Sequence, residues 1–397
     1  MFIWSGAYGL NKEQSLKIIE LSKMKMSEKN GVPIIFEADI SENQLWSIDQ
    51  KMFRLLLIDH TLQDYEQRQA QKAEVDGRPY KEIPHNIFWA TADYEDWGDG
   101  YKYYDQITPE LITGERDHVV MPRVLKSKEQ QRLRSKEMAE VFTPSWVCNA
   151  QNNLVDEAWF GRKGVFNEEI EFSDGARSWN TNLERIAFPN GKTWRDYVCD
   201  TRLEITCGEA PYLVSRYDTT TGEIIPLENR IGIIDRKLRV INENVDNESD
   251  WVSAAKVAYM STYGYEWQGD NLLLAREAML ATFIENFQMK FGKMPAVYHQ
   301  LDAIAYIISW NLWQMDGMKM VIPDSCHEIP AQGTNDLFGE PIMEQCPGCK
   351  NGTATGHNGH LCLIRDWEIL YKHTPDKPLM GKKGKKTPFL HVLNLKK

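Results

Sequence analysis

The chain has 397 residues, with 46 Lys and Arg against 57 Asp and Glu and a formal net charge of −11. Apolar residues make up 42% and charged residues 26%, which excludes a mostly disordered chain and suits roughly two or three domains with a full core. The first residues lack a basic and apolar leader, and the most apolar stretch, 301–322, carries Asp302, Asp316 and Lys319, so the expectation is a cytoplasmic protein without a membrane span.

In chain order, Asn11 with Gln14 has the form of a capping box, and Leu16, Ile19 and Lys23 continue at helical spacing. Residues 33–37 read as a short strand. Ser41 with Gln44 opens a second helix whose face carries Leu45, Ile48, Met52 and Leu55 and which is expected to run towards Gln71. Polar residues 72–85 mark a boundary, so 1–85 is read as a helical N-terminal region. From residue 86 the pattern changes. Short apolar runs at 119–121, 197–199, 202–205 and 230–234 read as strands, and 251–261, 271–290 and 297–314 as helices. Strands alternating with helices predict an α/β domain over 86–325 built round a largely parallel sheet, with ligands at the carboxyl ends of its strands. A Cys-rich segment, 326–367, and a basic tail, 368–397, complete the organisation.

Charge is distributed unevenly. Residues 372–397 carry eight lysines against Asp376, which leaves about −18 for the rest of the chain. A second basic stretch, 123–137, has six Lys or Arg and two Glu. Any phosphate-binding face is therefore local, and the same stretches also read as ordinary solvated surface.

The most informative segment is Glu204-Ile-Thr-Cys-Gly-Glu-Ala-Pro-Tyr-Leu213. It reads as a strand ending in an acid, then a turn in which Gly208 and Ala210 let backbone amides approach a ligand. Upstream lies Ala139-Glu-Val-Phe-Thr-Pro-Ser-Trp-Val147, and downstream come Arg230-Ile-Gly-Ile-Ile-Asp-Arg236 and Tyr265-Glu-Trp-Gln-Gly-Asp-Asn-Leu272. This ordered series resembles the N6-adenine DNA methyltransferases of restriction–modification systems, in the arrangement that places motif X before motif I. The likeness spans roughly 86–325. It implies a Rossmann-like methyltransferase core that binds S-adenosylmethionine and acts on double-stranded DNA.

By that resemblance, Thr143 and Pro144 line the methionine and sulfonium side, the Cys207-Gly208-Glu209-Ala210 turn wraps the amino-acid moiety, and Glu204 is a further cofactor-binding residue able to accept a hydrogen bond. Asp235, at the expected end of the second strand, takes the ribose hydroxyls, and Asp270, at the end of the third, the adenine amino group. Carboxylates suit these tasks because they accept hydrogen bonds and favour the ligand's positive charge.

One departure carries as much weight as the matches. The family's catalytic loop is Asp, Asn or Ser followed by Pro-Pro and an aromatic residue, which binds and stacks on the flipped adenine. None of the 17 prolines of this chain has a proline neighbour. The resemblance thus implies a cofactor-binding part without its chemical centre. Either a second polypeptide supplies the catalytic loop and target-recognition domain, or the chain is an accessory protein, DNA-binding or complex-forming, that keeps the fold without the reaction. An associated restriction subunit is a further expected partner.

The seven cysteines are an odd number, and Cys326, Cys346, Cys349 and Cys362 crowd into one stretch near His327, His357 and His360. Cys-Pro-Gly-Cys has the form of a zinc knuckle, so these four cysteines are read as a structural Zn²⁺ site of zinc-ribbon type, with buried or free thiols as the alternative.

Overall fold

The computed structural model describes residues 36–77, 85–137, 140, 143–295, 300–335, 338 and 340–394. The helix expected at Asn11 and residues 33–35 of the first expected strand lie outside the described residues, and Phe36 and Glu37 are not in a strand.

Ser41 caps a helix as expected: its Oγ accepts from the Gln44 N–H at 3.1 Å and opens α1 (Glu42–Ile48). The single helix expected to reach residue 71 is broken twice. Asp49 and Asp59 adopt extended backbone and cap α2 (Gln50–Leu57) and α3 (His60–Val75), each carboxylate accepting two backbone N–H groups. Aspartate competes locally for helix donors, and an apolar period that continues across such a break does not reveal it.

The chain continues through α4 (Pro109–Ile112), α5 (Lys128–Glu137) and α6 (Ser145–Phe160). An antiparallel hairpin, β1 (Asn167–Glu171) with β2 (Arg177–Thr181), and α7 (Trp194–Val198) follow. The expected strand at 119–121 is irregular, and that at 197–199 falls at the end of α7. Three-residue apolar runs do not distinguish a strand from a buried turn.

The central sheet is parallel and three-stranded: β3 (Arg202–Glu204), β4 (Thr262–Glu266) and β5 (Leu312–Gln314), in that order. Between β3 and β4 the chain passes through α8 (Ile233–Asn244) and α9 (Glu248–Met260). Between β4 and β5 it passes through α10 (Gly269–Phe291) and α11 (Asp302–Asn311). The fold is therefore mixed α/β. The expected strand at 230–234 is instead the entry to α8, because Asp235 accepts from the Gly232 N–H at 3.2 Å and closes a helical first turn. The helix expected to reach 314 stops at Asn311, whose side-chain amide donates to Tyr259 O at 2.7 Å and Thr262 O at 3.0 Å and delivers the next residues to the sheet.

Helix α10 is buried on nearly every side, and Gly269 at its start touches the preceding loop so closely that a Cβ would lie 2.0 Å from Phe88 O. Arg276, fully buried within it, donates to Leu312 O at 2.6 and 3.0 Å, Ile58 O at 3.0 Å and Leu56 O at 2.5 Å. One apolar core extends from Phe36 to Leu379 and so crosses the boundaries expected from composition.

Beyond the sheet come β6 (Ile329–Asn335), β7 (Pro341–Glu344) and α12 (Pro347–Asn351). Two small antiparallel pairs follow, β8 (Leu363–Arg365) with β11 (Lys386–Pro388) and β9 (Glu368–Leu370) with β10 (Met380–Lys382), before α13 (Phe389–Asn394). The segment expected as a basic tail is folded against the body, with Leu379 and Phe389 buried. Among the described residues no helix is long and apolar enough to cross a membrane.

Candidate metal centre and carboxyl edge of the sheet

Cys326, Cys346, Cys349 and His357 bring three thiols and one ring nitrogen within 4.8 Å of one another. Cys346 caps α12, Pro347 occupies its first turn, and the Cys349 N–H points at Cys346 Sγ across 3.4 Å. This knuckle turns both thiols to one side. The helix ends at Gly352 in the left-handed region, φ +61°, and the chain returns to place His357 over the turn. A Cβ on Gly348 would lie 2.6 Å from His357 Nδ1, so the ring's approach requires glycine there.

The distances have a specific meaning. His357 Nδ1 is 3.5 Å from Cys326 Sγ and 3.6 Å from both Cys346 Sγ and Cys349 Sγ. A tetrahedral ion with bonds of about 2.3 Å to sulfur and about 2.0–2.1 Å to nitrogen requires N···S edges of about 3.5 Å. A ring nitrogen has one proton or one lone pair and does not serve three thiols as a hydrogen-bond partner. His357 Nε2 lies 2.7 Å from Thr353 O, an arrangement that donates the Nε2 proton outward and leaves the Nδ1 lone pair facing the sulfurs.

Electrostatics agree. Burial opposes the Cys346 thiolate, but N–H groups of Cys349 and Asn358, with the Cys349 and His357 side chains, outweigh it and hold that thiol at about 6. Burial and the adjacent Cys346 and Cys349 push Cys326 up to about 12. Crowded thiols ionise one after another, and a divalent cation allows all three to ionise together. The donor set and its geometry fit Zn²⁺.

Cys362, the expected fourth ligand, is corrected by the structure. It is fully buried, its thiol donates to Gln314 O at 3.4 Å, and it packs with Trp313, Ile364 and Phe389. Its N–H donates to Met320 O at 3.1 Å, so it already belongs to the run of chain that enters β8. His357 takes the corner assigned to it. The sequence signal was present, a histidine eight residues after the knuckle, but spacing alone did not select it over His327 or His360.

The second group of expected residues lies at the carboxyl edge of the sheet. Glu204 ends β3 and Glu266 ends β4. Glu204 is buried and pushed well above the usual carboxylate range by burial, which outweighs N–H contacts from Tyr212 and Leu213; its Oε2 has no hydrogen-bond partner. After it the backbone takes positive φ at Thr206 (+46°), Gly208 (+53°) and Ala210 (+61°). Non-glycine residues rarely adopt that region, and its repeated use marks a constrained turn. Cys207 continues the ladder through its N–H to Tyr265 O at 2.8 Å, and the Gly208 N–H donates to Glu266 Oε2 at 2.8 Å. Glu209 turns inward, accepting from the Arg123 N–H at 2.7 Å and the Tyr217 hydroxyl at 2.5 Å.

Thr143 and Pro144, far away in sequence, arrive at the same place. Pro144 caps α6, the Ser145 N–H donates to Asp218 at 2.8 Å, and Thr143 O accepts from Thr219 Oγ1 at 2.9 Å. The Tyr212 hydroxyl, just past the constrained turn, contacts the side chains of Thr143 and Cys148, and Cys148 in turn feels the charge of Glu204.

The two remaining acids are placed differently from expectation: each lies in the first turn of a helix, not at a strand end. Asp235 Oδ2 accepts from Gly232 N–H and from the Ser215 N–H at 2.9 Å and hydroxyl at 3.3 Å, which is the work of a cap. Its Oδ1 has no partner, and the residue borders a cleft of about 230 Å³ shared with Phe166, Arg239 and Asn286. Asp270 is fully buried and surrounded by donors: the Tyr94 hydroxyl at 2.8 Å, Lys126 Nζ at 3.1 Å and Arg134 Nη1 at 2.9 Å. Burial opposes its charge, but Arg134 and Lys126 prevail and hold it far below the usual carboxylate range. Two cations from the basic stretch 123–137 are thus consumed inside the fold.

Comparison with protein-family models, with curated proteins and with solved structures finds no match for this chain.

Proposed function

We propose that the chain is the cofactor-binding part of an adenine-specific DNA methyltransferase of a restriction–modification system, carrying a Rossmann-like core and a structural zinc. The observation that supports it is the approach of two distant motifs near the carboxyl edge of the parallel sheet, with Thr143 beside Tyr212, two residues past the Glu204–Ala210 turn, and Cys148 within reach of the Glu204 charge. Ligands of α/β sheets sit at that edge, and a buried acid with one oxygen left without a partner suits the amino-acid end of S-adenosylmethionine. Methyl transfer to adenine N6 then needs a Pro-Pro-aromatic loop from a partner polypeptide.

A second reading, a DNA-binding or complex-forming subunit without the reaction, is favoured by the lysines at the end of the chain. Lys382, Lys383, Lys385 and Lys386 are exposed on backbone that is held firmly: Gly384 O accepts from Arg365 Nη1 at 3.0 Å and Lys385 O from the Asp366 N–H at 2.9 Å. Lys382 pairs with Glu368, Lys386 with Asp64, and Lys383 lies 4.2 Å above the centre of the Tyr306 ring, so Lys385 and the exposed side of Lys383 are what this stretch offers to phosphates.

Calorimetry with S-adenosylmethionine and duplex-DNA binding across a salt series separate the two. Micromolar cofactor binding, weakened at least tenfold by Glu204→Gln, is the result expected of the first. Absence of cofactor binding at millimolar ligand, with DNA affinity whose salt slope falls by about 2 in Lys383→Ala/Lys385→Ala, is the result expected of the second. A chain that binds neither overturns both.

A further inference from the structure

Two glutamates outside both sites are buried without the partners that buried charge requires. Glu277, in the middle of α10, is fully buried, and neither of its carboxyl oxygens has a hydrogen-bond partner. Glu42, the first residue of α1, is also fully buried; its Oε2 accepts from the His118 N–H at 3.3 Å, and its Oε1 has no partner. The charges that act on Glu277 are those of Glu42, Asp39 and Asp117, all negative. Isolated carboxylates in such surroundings are too costly to keep ionised, and facing carboxylates repel.

The group leads outward to solvent. Asp117 accepts from the Asn43 N–H at 3.0 Å and the Ser41 hydroxyl at 2.7 Å. His118, half exposed, reaches Asp39 at 2.6 Å through Nδ1 and Asp117 at 3.2 Å through Nε2. A proton on each buried glutamate removes both the cost of burying its charge and the repulsion between them, so the ligand that fits them is a proton.

We propose that Glu42 and Glu277 form a proton-dependent latch that holds the N-terminal helix α1 against α10 and releases it when the pair ionises. Burial, first among the causes, pushes both groups well above the usual range, with Asp39 adding to each and Glu42 to Glu277; Asp39 itself is raised by burial against His118. The sign follows. In the opened state these acids ionise near their ordinary value of 4.5, so the latch's contribution is full below that pH and is lost as pH rises towards the raised values. Each proton released on opening raises the opening constant by up to about tenfold per pH unit within that window.

The test is amide hydrogen exchange on the full chain between about pH 6 and about pH 8.5, corrected for intrinsic rates. The expected result is that protection of residues 42–48 falls with pH, by up to about tenfold per unit for each proton released, while protection of α9 does not. Glu277→Gln flattens that dependence, and Glu42→Gln serves as the second variant if the first fails to fold. Protection that is independent of pH in the natural chain overturns the proposal. So does protection restored at high pH by millimolar Mg²⁺ or Ca²⁺, which would make the occupant a cation.

Discussion

The Cys326 cluster and the carboxyl edge of the sheet were both read from short motifs, and their local chemistry came out differently. In the cluster, three thiols and one ring nitrogen converge, and the three 3.5–3.6 Å edges match those of one tetrahedral ion. At the sheet edge, Asp270 is already satisfied by Lys126, Arg134 and Tyr94, and Asp235 is half satisfied, its Oδ2 by the turn it caps and its Oδ1 by nothing. A ligand site shows as donors or acceptors left over after the fold has taken its share. By that criterion the Cys326 cluster has the full donor set for a metal ion, and the sheet edge offers Glu204, the constrained turn after it and Asp235 Oδ1.

The largest effect expected from this contrast is in the cluster. Replacing Cys346 and Cys349 by Ser removes about one zinc per chain and lowers thermal stability sharply, since structural zinc contributes on the order of 10 kcal/mol in isolated modules. His357→Ala follows the same course, whereas Cys362→Ser keeps its metal. Zinc retained by His357→Ala and lost from Cys362→Ser, measured by elemental analysis, would reverse the ligand assignment.

Asp270→Asn comes next. It leaves Lys126 and Arg134 buried beside a neutral group and destabilises the chain by roughly 3–5 kcal/mol. Because the Asp270 carboxyl is depressed in the fold, its contribution is present above its ordinary value of 3.8 and is lost as pH falls through the depressed one, so the variant also loses part of the natural chain's acid sensitivity. An unchanged denaturant midpoint together with lost S-adenosylmethionine affinity would return Asp270 to the ligand.

The smallest effect is that of Asp235→Ala, about 1 kcal/mol, the usual cost of a lost cap. Calorimetry on the same variant sharpens the comparison. Cofactor affinity abolished with stability intact would mean that the unpartnered Oδ1, not the capping Oδ2, is the functional atom.

Much of the architecture was legible where local chemistry acts alone. The Ser41 cap, the helices at 248–260 and 269–291 and the Cys346 knuckle each depend on residues a few positions apart. The misreadings have a common cause, which is that distance in space is not periodic in sequence. Asp49 and Asp59 break a helix by offering oxygens that the apolar spacing does not register. The second expected strand became α8 because Ser215 and Gly232 share a carboxylate, and His357 displaced Cys362 because the chain reverses after Gly352. Lys126 and Arg134 looked like surface cations until α10 supplied Asp270.

Arg276 gives the molecule a mechanical property as well as a packing one. Its guanidinium spans carbonyls at the end of α2, at the entry to α3 and at the start of β5, so the N-terminal helices and the last sheet strand are tied to a single cation. Shortening the chain to begin at residue 86 would strand that cation in an apolar interior instead of freeing a domain. Pulling on either end should therefore rupture both attachments in one event, and an amide-exchange experiment should find α2 and β5 opening together as one cooperative unit.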